Sequence, residues 1–305
     1  MKIIKFKIQN LILSYDKKLE EHWQMVYRGS RYQYNPLTSL YSWNQGDFAE
    51  FFTYFNTFAL KKWSKYSNAD NVYLQLRCKG CFKLNLFGHY RENGVIQKEM
   101  YETHTFSLPE LTEIHIPIPT ESKAEVVGFQ FDVLPPDDNY LKFYKDKKIE
   151  PDKTFSIESG GWYTNIDSSL VNDVYISIAS TTFKKEDFIT KNIDVLEREL
   201  FYSGEPAAKH FDLKIVDNGR TLDPEKYNSE HIHIFPNDNV GGAGGYTRGM
   251  LESLDDETFK ATHVLLMDDD VMVMPEAFIR TYSLLALVKP EYKERFASGA
   301  MLDYD

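Results

Sequence analysis

The chain has 305 residues, 42% hydrophobic and 27% charged, the balance of a soluble globular protein with length for about two domains. Its formal net charge of −11 argues against a nucleic-acid partner, which needs a basic face to displace counterions. It does not argue against a phosphate-bearing ligand, because a bound metal supplies positive charge locally. No stretch reaches the ~18 apolar residues of a membrane span. Met1 to Asn10 is a β-like mix of Ile, Lys and Phe, too polar for a signal-peptide core. Cytoplasm is the expected compartment, with peripheral contact on the inner face of the membrane left open, as is homo-oligomerisation.

The segment 27–66 is rich in rings, among them Tyr32, Tyr34, Tyr41, Trp43, Phe51, Phe52, Tyr54, Phe55 and Trp63. Flat aromatic faces suit sugar rings, but the plainer expectation is that most of them fill the core of a β domain. From Asn71 to about Ser159, short β-rich runs (72–77, 82–88, 113–117, 126–134) alternate with turn clusters. Those clusters are Glu92-Asn93-Gly94, Pro135-Pro136-Asp137-Asp138 and Ser159-Gly160-Gly161, and the pattern predicts an all-β sandwich or jelly roll. The two cysteines stand in Cys78-Lys79-Gly80-Cys81. Zinc would need two more ligands at suitable spacing, and a thioredoxin-like motif would open a helix. Here Lys79-Gly80 reads as the tight turn of a hairpin.

From Asp173 the regime changes to strand, helix, strand, helix. Residues 174–179 read as a strand, and 185–201 as a helix with Phe188, Ile189, Ile193 and Leu196 on one side. Residues 211–216 and 231–235 read as strands, followed by a glycine-rich turn and a helix around 246–253. A helix over 275–288, with proline in its first turn, follows the last strand. Such alternation predicts a parallel sheet covered by helices, with ligands beyond the carboxyl ends of its strands.

That last strand, His263-Val264-Leu265-Leu266-Met267, is short and largely aliphatic and reads as buried on both faces. It exits into Asp268, Asp269 and Asp270. Three adjacent carboxylates repel one another, and a hard divalent cation, Mg²⁺ or Mn²⁺, removes the conflict. In an extended chain Asp268 and Asp270 point the same way and Asp269 elsewhere, giving an Asp-x-Asp pair suited to holding a metal against a diphosphate. The plain alternative is an acidic turn in solvent.

Three further strand ends converge on it. The first exits into Ser180-Thr181-Thr182-Phe183-Lys184-Lys185, where hydroxyls and a ring can hold a base and ribose. The second exits into Asp217-Asn218-Gly219, where a carboxylate can accept the imide N–H of uracil. The third exits into Pro236-Asn237-Asp238-Asn239-Val240-Gly241-Gly242-Ala243-Gly244-Gly245-Tyr246-Thr247-Arg248, where glycines let backbone approach a ligand and a helix N-terminus favours a diphosphate. Structural glycines in a turn are the alternative. A dinucleotide fingerprint read from Gly242 fails because Thr247 takes the place of its last glycine, and no P-loop pattern occurs.

Residues 179–183, Val216-Asp217-Asn218-Gly219, the run 239–245 with Arg248, and Met267-Asp268-Asp269-Asp270 together resemble a family 2 glycosyltransferase of the GT-A type, with a Rossmann-like nucleotide-sugar-binding domain. More narrowly, the doubled-glycine loop, the three aspartates followed by Pro275-Glu276, and Ser298-Gly299-Ala300-Met301-Leu302 are similar to the polymerising bacterial galactofuranosyltransferases. Those enzymes carry an N-terminal β-sandwich, and Thr53-Tyr54-Phe55-Asn56-Thr57-Phe58, Trp63 and Gly160-Gly161-Trp162 are similar to its signature stretches. The resemblance implies a β-sandwich over 1–165 and the donor-binding part of a GT-A domain over 166–305.

It also implies transfer of galactofuranose from UDP-galactofuranose, with inversion, to a growing cell-surface glycan, free or lipid-linked. By position, Asp217 falls near the uracil, and Thr181, Thr182, Phe183 and Lys184 (or Lys185) near the nucleotide. Asn239, Gly241, Gly242, Arg248, Asp268 and Asp269 fall near the donor, with Asp268 and Asp270 as the Mn²⁺ or Mg²⁺ ligands. The family's arginine after the first strand is replaced by Lys184-Lys185, which lacks the bidentate fork. Its general base is expected beyond Asp305, and neither Asp303 nor Asp305 is placed for that role. The chain therefore reads as truncated before the acceptor half, binding donor but transferring little. A related transferase using another nucleotide sugar, such as rhamnose, is the alternative within enzymes, and a non-catalytic carbohydrate-binding or regulatory protein the alternative outside them.

Overall fold

The computed structural model describes residues 2–13 and 23–299, and the chain divides into two compact units, Met1–Leu170 and Val171–Asp305. Ala300, Met301, Leu302, Asp303 and Asp305 lie outside the described residues. In chain order the first unit holds β1 (Ile3–Asn10), β2 (Arg28–Gly29), β3 (Gln33–Asn35), β4 (Leu40–Trp43), β5 (Phe48–Glu50), α1 (Leu60–Tyr66), β6 (Val72–Glu92), β7 (Val95–Pro117), β8 (Val126–Val133), α2 (Asp138–Lys147) and β9 (Phe155–Asp167). The second holds β10 (Ile176–Thr182), α3 (Glu186–Leu196), β11 (Phe211–Asp217), α4 (Pro224–Tyr227), β12 (Ile232–Pro236), α5 (Gly241–Leu254), β13 (His263–Asp268) and α6 (Pro275–Leu287).

The first unit is one antiparallel sheet in the order β2-β5-β8-β6-β9-β4-β3, with β1 added on β9 and β7 on β6. β6 pairs with β9 along its first half and with β8 along its second. β7 takes one edge of β6 along its whole length, so β9 and β8 follow one another along the other edge; β4 pairs with β9 and β5 with β8, and a short turn joins them. The sheet curls and gathers its rings on one side. Inside the curl, the Trp43 ring lies 4.9 Å from Phe131, Phe131 lies 4.5 Å from Phe155, and Phe51 stacks on Phe129 at 4.8 Å. Trp43, Phe51, Phe55 and Phe58 are thus core, whereas Tyr34 and Tyr54 are exposed.

Three turn expectations change. Cys78 to Cys81 do not reverse the chain; they lie inside β6, where Gly80 takes a left-handed φ of +119° and the register on β7 shifts. A side-chain carbon there would stand 2.5 Å from the Thr154 carbonyl, so the glycine bends the strand under its neighbour. The reversal comes at Asn93-Gly94, both at positive φ, as a two-residue hairpin requires. Both cysteines are buried and unbridged, and burial pushes the Cys78 thiol up to about 12, an inert state. Ser159-Gly160-Gly161 lies within β9, where backbone and side chains of neighbouring strands press on both glycines. After Pro135-Pro136, Asp137 caps α2, its carboxylate accepting from the Tyr140 amide at 2.8 Å.

The second unit is a four-stranded parallel sheet in the order β12-β11-β10-β13. Three strands are laid to one side, and the fourth returns to the other side of β10, so a crevice opens between the carboxyl ends of β10 and β13. α5 covers the face carrying Ser177, Ala179 and Thr181. Carbons built on Gly249 and Gly245 would meet Ala179 at 3.1 Å and the Thr181 hydroxyl at 2.0 Å, and the Ser253 hydroxyl bonds that of Ser177 at 2.8 Å. α6 covers the other face, Phe278 and Tyr282 meeting Phe211 edge-on and tilted. On α3, Ile189, Ile193 and Leu196 are buried as its period predicts, but Phe188 is half exposed.

β13 departs from expectation. It is an edge strand with His263, Val264 and Leu265 only partly covered and Leu266 52% exposed. On the α5 face, the helix seats on β10 and, among the described residues, leaves Leu266 of β13 uncovered.

Gly245→Ala is expected to cost about 1–3 kcal/mol by forcing α5 off β10, read as a lower urea midpoint of the second unit. Gly242→Ala, with nothing within 4 Å, should be neutral or stabilising. The reverse ranking would contradict this packing.

Burial depresses the pKa of His210, His233 and His263 below the ordinary 6.5. The unfolded chain therefore takes up protons first as pH falls. The histidine contribution to stability is fully present above pH 6.5 and is lost progressively as pH falls through the depressed values. Unfolding free energy measured between pH 7.5 and 5.5 should fall with pH. A flat profile over that window would refute it.

Candidate functional site

Every strand of the parallel sheet delivers polar residues to its carboxyl edge. Thr181 of β10 is in register with Val216 of β11 and Asp268 of β13. Beyond Thr182 the chain turns through Phe183, half exposed, and Lys184, which takes a left-handed φ of +56° with its ammonium over the Phe183 ring. Lys185 then precedes α3 as its cap residue. The Thr182 hydroxyl is buried without a hydrogen-bond partner among the described residues, as is that of Ser180.

Asp217 is fully buried. One carboxylate oxygen accepts from the Gly219 amide at 2.9 Å, and the other from Thr221 at 2.6 Å and Leu222 at 2.7 Å. Its lone pairs are spent on its own turn. Asn218, singled out only as a turn residue from sequence, is the link between strand ends. Its amide group donates to the Thr181 hydroxyl (3.4 Å) and the Gly241 carbonyl (3.2 Å) and accepts from the Asn237 side chain (2.9 Å). An Asn-Gly pair signals a turn, and nothing in it reveals a three-way tie.

The glycine-rich run is itself helical, because α5 begins at Gly241 rather than near Tyr246. Asn239 accepts the Gly241 amide at 3.1 Å, while the cap residue Val240 offers no side-chain acceptor. The exposed first turn, Gly241 to Ala243, thus presents amides and the positive end of a 14-residue helix at the crevice. Arg248 lies roughly 10 Å further along the axis and is turned onto Glu252 at 2.5 Å, so it is not gathered with the rest.

β13 ends at Asp268, and Asp269 and Asp270 form a turn. The alternation nevertheless persists in burial: Asp268 and Asp270 are exposed and Asp269 is buried. Asn192 of α3 holds the Asp269 carbonyl at 3.0 Å. Asp268 accepts from the Tyr246 hydroxyl at 2.6 Å, and that hydrogen bond, with burial as the larger cause, raises the tyrosine pKa. Lys185 reaches Asp270 at 2.5 Å and Asp269 at 3.8 Å. Its hydrogen bond holds the Asp270 carboxyl below the usual range and raises the lysine's own pKa. Hard carboxylate oxygens beside helix-start amides fit Mg²⁺ or Mn²⁺ by donor type, provided the lysine yields.

A second cluster lies on the α5 face nearer the amino ends of the strands, where Asp212, His233 and Asp256 bring ligand atoms within 4.8 Å of one another. Its cation is already present. Lys214, 1% exposed, contacts Asp256 at 2.5 Å and Asp212 at 2.9 Å. Burial would lower its pKa, but the two carboxylates hold it above the ordinary lysine value. Asp256 stays well below its ordinary value despite burial, since Thr258 and Phe259 also donate to it. A lysine flanked by apolar residues in β11 was the signal for this cluster. Lys214→Met should destabilise the second unit by about 3–5 kcal/mol, because it strands the buried Asp212 carboxylate and leaves the partly buried Asp256 without its cation. Added Zn²⁺ or Mn²⁺ should not stabilise the wild type through this cluster, and a Lys214→Met protein of unchanged stability would overturn the assignment.

Two curated proteins are similar to this chain over most of its length. Galactofuranosyltransferase GlfT2 of Mycobacterium tuberculosis is 24% identical over 256 residues, 83% of this chain and 36% of its own. GlfT2 of Mycolicibacterium smegmatis is 22% identical over 244 residues, 78% of this chain and 34% of its own. The chain thus spans about a third of the length of the curated relatives it matches. No family model matches the chain. Among solved structures, a Clostridium thermocellum xylanase 10B with its carbohydrate-binding module superposes at a TM-score of 0.29 and 11% identity, over 72% of this chain and 39% of that one, too loosely to carry an argument. The relation to galactofuranosyltransferases is distant, and it is a glycosyltransferase relationship.

Proposed function

We propose that the second unit is the donor-binding part of an inverting family 2 glycosyltransferase of the GT-A type, taking UDP-galactofuranose as donor and a cell-surface glycan as acceptor. The observation that carries this reading is the convergence, on one crevice at the switch point of a parallel sheet, of strand-end hydroxyls, a glycine-built helix start and three carboxylates. The distant relationship to galactofuranosyltransferases supports the choice of sugar.

In this reading Thr181, Thr182, Phe183 and Lys184 line the nucleoside side. The amides of Gly241 and Gly242 and the helix dipole of α5 face the diphosphate. Asp268 and Asp270 hold Mg²⁺ or Mn²⁺, with Asp269 alongside, and the bound ion supplies positive charge to the departing diphosphate. Asp217 acts by fixing the turn that presents Asn218, and Asn239 by setting the first amide of α5. Arg248 reaches a donor only by leaving Glu252. Among the described residues no helix is long and apolar enough to cross a membrane, and work at the inner membrane surface would be peripheral.

UDP with Mn²⁺ should raise the melting temperature, and UDP with a chelator much less, because ligand binding to the native state stabilises it by mass action. Asp268→Asn and Asp270→Asn should each erase the difference, and UDP-galactofuranose should protect more than dTDP-rhamnose. Equal shifts with and without metal would count against the carboxylate assignment, and equal protection by the two sugars against the choice of donor.

A further inference from the structure

Lys184 and Lys185 are adjacent and stand at the tip of β10, yet they are used differently. The left-handed backbone of Lys184 turns its ammonium over the Phe183 ring. Lys185, next in the chain, points across the crevice between β10 and β13 to Asp270 and Asp269. Without that ammonium, the exposed Asp268 and Asp270 carboxylates would share the strand end with the Tyr246 hydroxyl on Asp268 and a backbone amide on Asp270. The lysine side chain remains 45% exposed, so no packing locks it there.

An ammonium hydrogen-bonded to a carboxylate and a divalent cation coordinated by the same carboxylate cannot coexist without strong like-charge repulsion. Resting on the metal reading of Asp268 and Asp270, we propose that Lys185 is a built-in stand-in for the cation. It neutralises the aspartates in the nucleotide-free protein, is displaced when a divalent ion arrives, and then serves the diphosphate that arrives with it.

The displaced ammonium is a point charge on a flexible stem, and the diphosphate that arrives with the metal offers it a new anionic partner. Metal alone must evict the lysine with no compensation, whereas metal with nucleotide gives it a new partner. Lys185 therefore couples the two ligands, and the coupling is reciprocal. Cation alone is disfavoured, and each ligand tightens the other.

The test is Mn²⁺ affinity, measured from the electron paramagnetic resonance signal of free Mn²⁺, with and without UDP. It uses the wild-type chain, Lys185→Met, Lys184→Met as neighbour control, and Asp270→Asn. Lys185→Met should bind Mn²⁺ alone about five- to tenfold more tightly, and UDP should tighten Mn²⁺ binding by a smaller factor than it does in the wild type. Lys184→Met should leave Mn²⁺ affinity without UDP unchanged. Unchanged or weaker Mn²⁺ binding by Lys185→Met, with Asp270→Asn still abolishing it, would overturn the stand-in role while leaving the metal site intact. Wild-type Mn²⁺ binding indifferent to Asp270→Asn would instead overturn the metal reading beneath it. A melting temperature for each variant without ligand separates a merely structural loss, in which stability falls and Mn²⁺ affinity does not rise.

Discussion

Gly245 lies so close to Thr181 that a side-chain carbon on it would stand 2.0 Å from the threonine hydroxyl. That contact, continued by Gly249 on Ala179 and Ser253 on Ser177, seats α5 on β10 with almost no side chain between helix and sheet. Much else in the second unit follows from it. The first turn of the helix is brought to the carboxyl edge of the sheet, where Asn218 holds the Gly241 carbonyl. Tyr246, one residue past Gly245, is delivered to Asp268. The flank of the sheet over β13 is left uncovered, which is why Leu266 is exposed on a strand whose composition reads as buried.

Charge is the second constraint, and the unit answers it twice by the same device. At the amino-proximal cluster, Lys214 is sealed between Asp212 and Asp256, and burial makes the arrangement permanent. At the crevice, Lys185 makes a geometrically similar contact with Asp270 but in solvent. Screening keeps an exposed pair of this kind weak, so it is exchangeable where the buried one is not. One lysine is part of the fold, and the other is available to ligands.

The first unit solves a different problem, closing an antiparallel sheet on itself. β6 is long enough to pair with β9 along its first half and with β8 along its second, Gly80 stands between the two stretches, and Trp43, Phe131 and Phe155 meet inside. The aromatic density of 27–66 is accounted for mainly by that interior, with Tyr34 and Tyr54 left outside it.

The sequence by itself determined the alternation of strands and helices after Asp173, the antiparallel character before it, the Asn93-Gly94 reversal and the row of aspartates at a strand end. These rest on local periodicity and turn chemistry, which adjacent residues carry. Only the tertiary structure decided whether a glycine bends or reverses a strand, because Gly80, Gly160 and Gly161 answer to neighbours distant in sequence. It alone showed that Asp217 spends its carboxylate on its own turn, that Asn218 ties three segments together, and that α5 starts five residues before its apolar pattern does. The partners of the aspartates were likewise hidden. Tyr246 reaches them from α5 and Lys185 from beyond the end of β10, and a linear pattern records which groups are acidic or basic but not which of them the fold sets face to face.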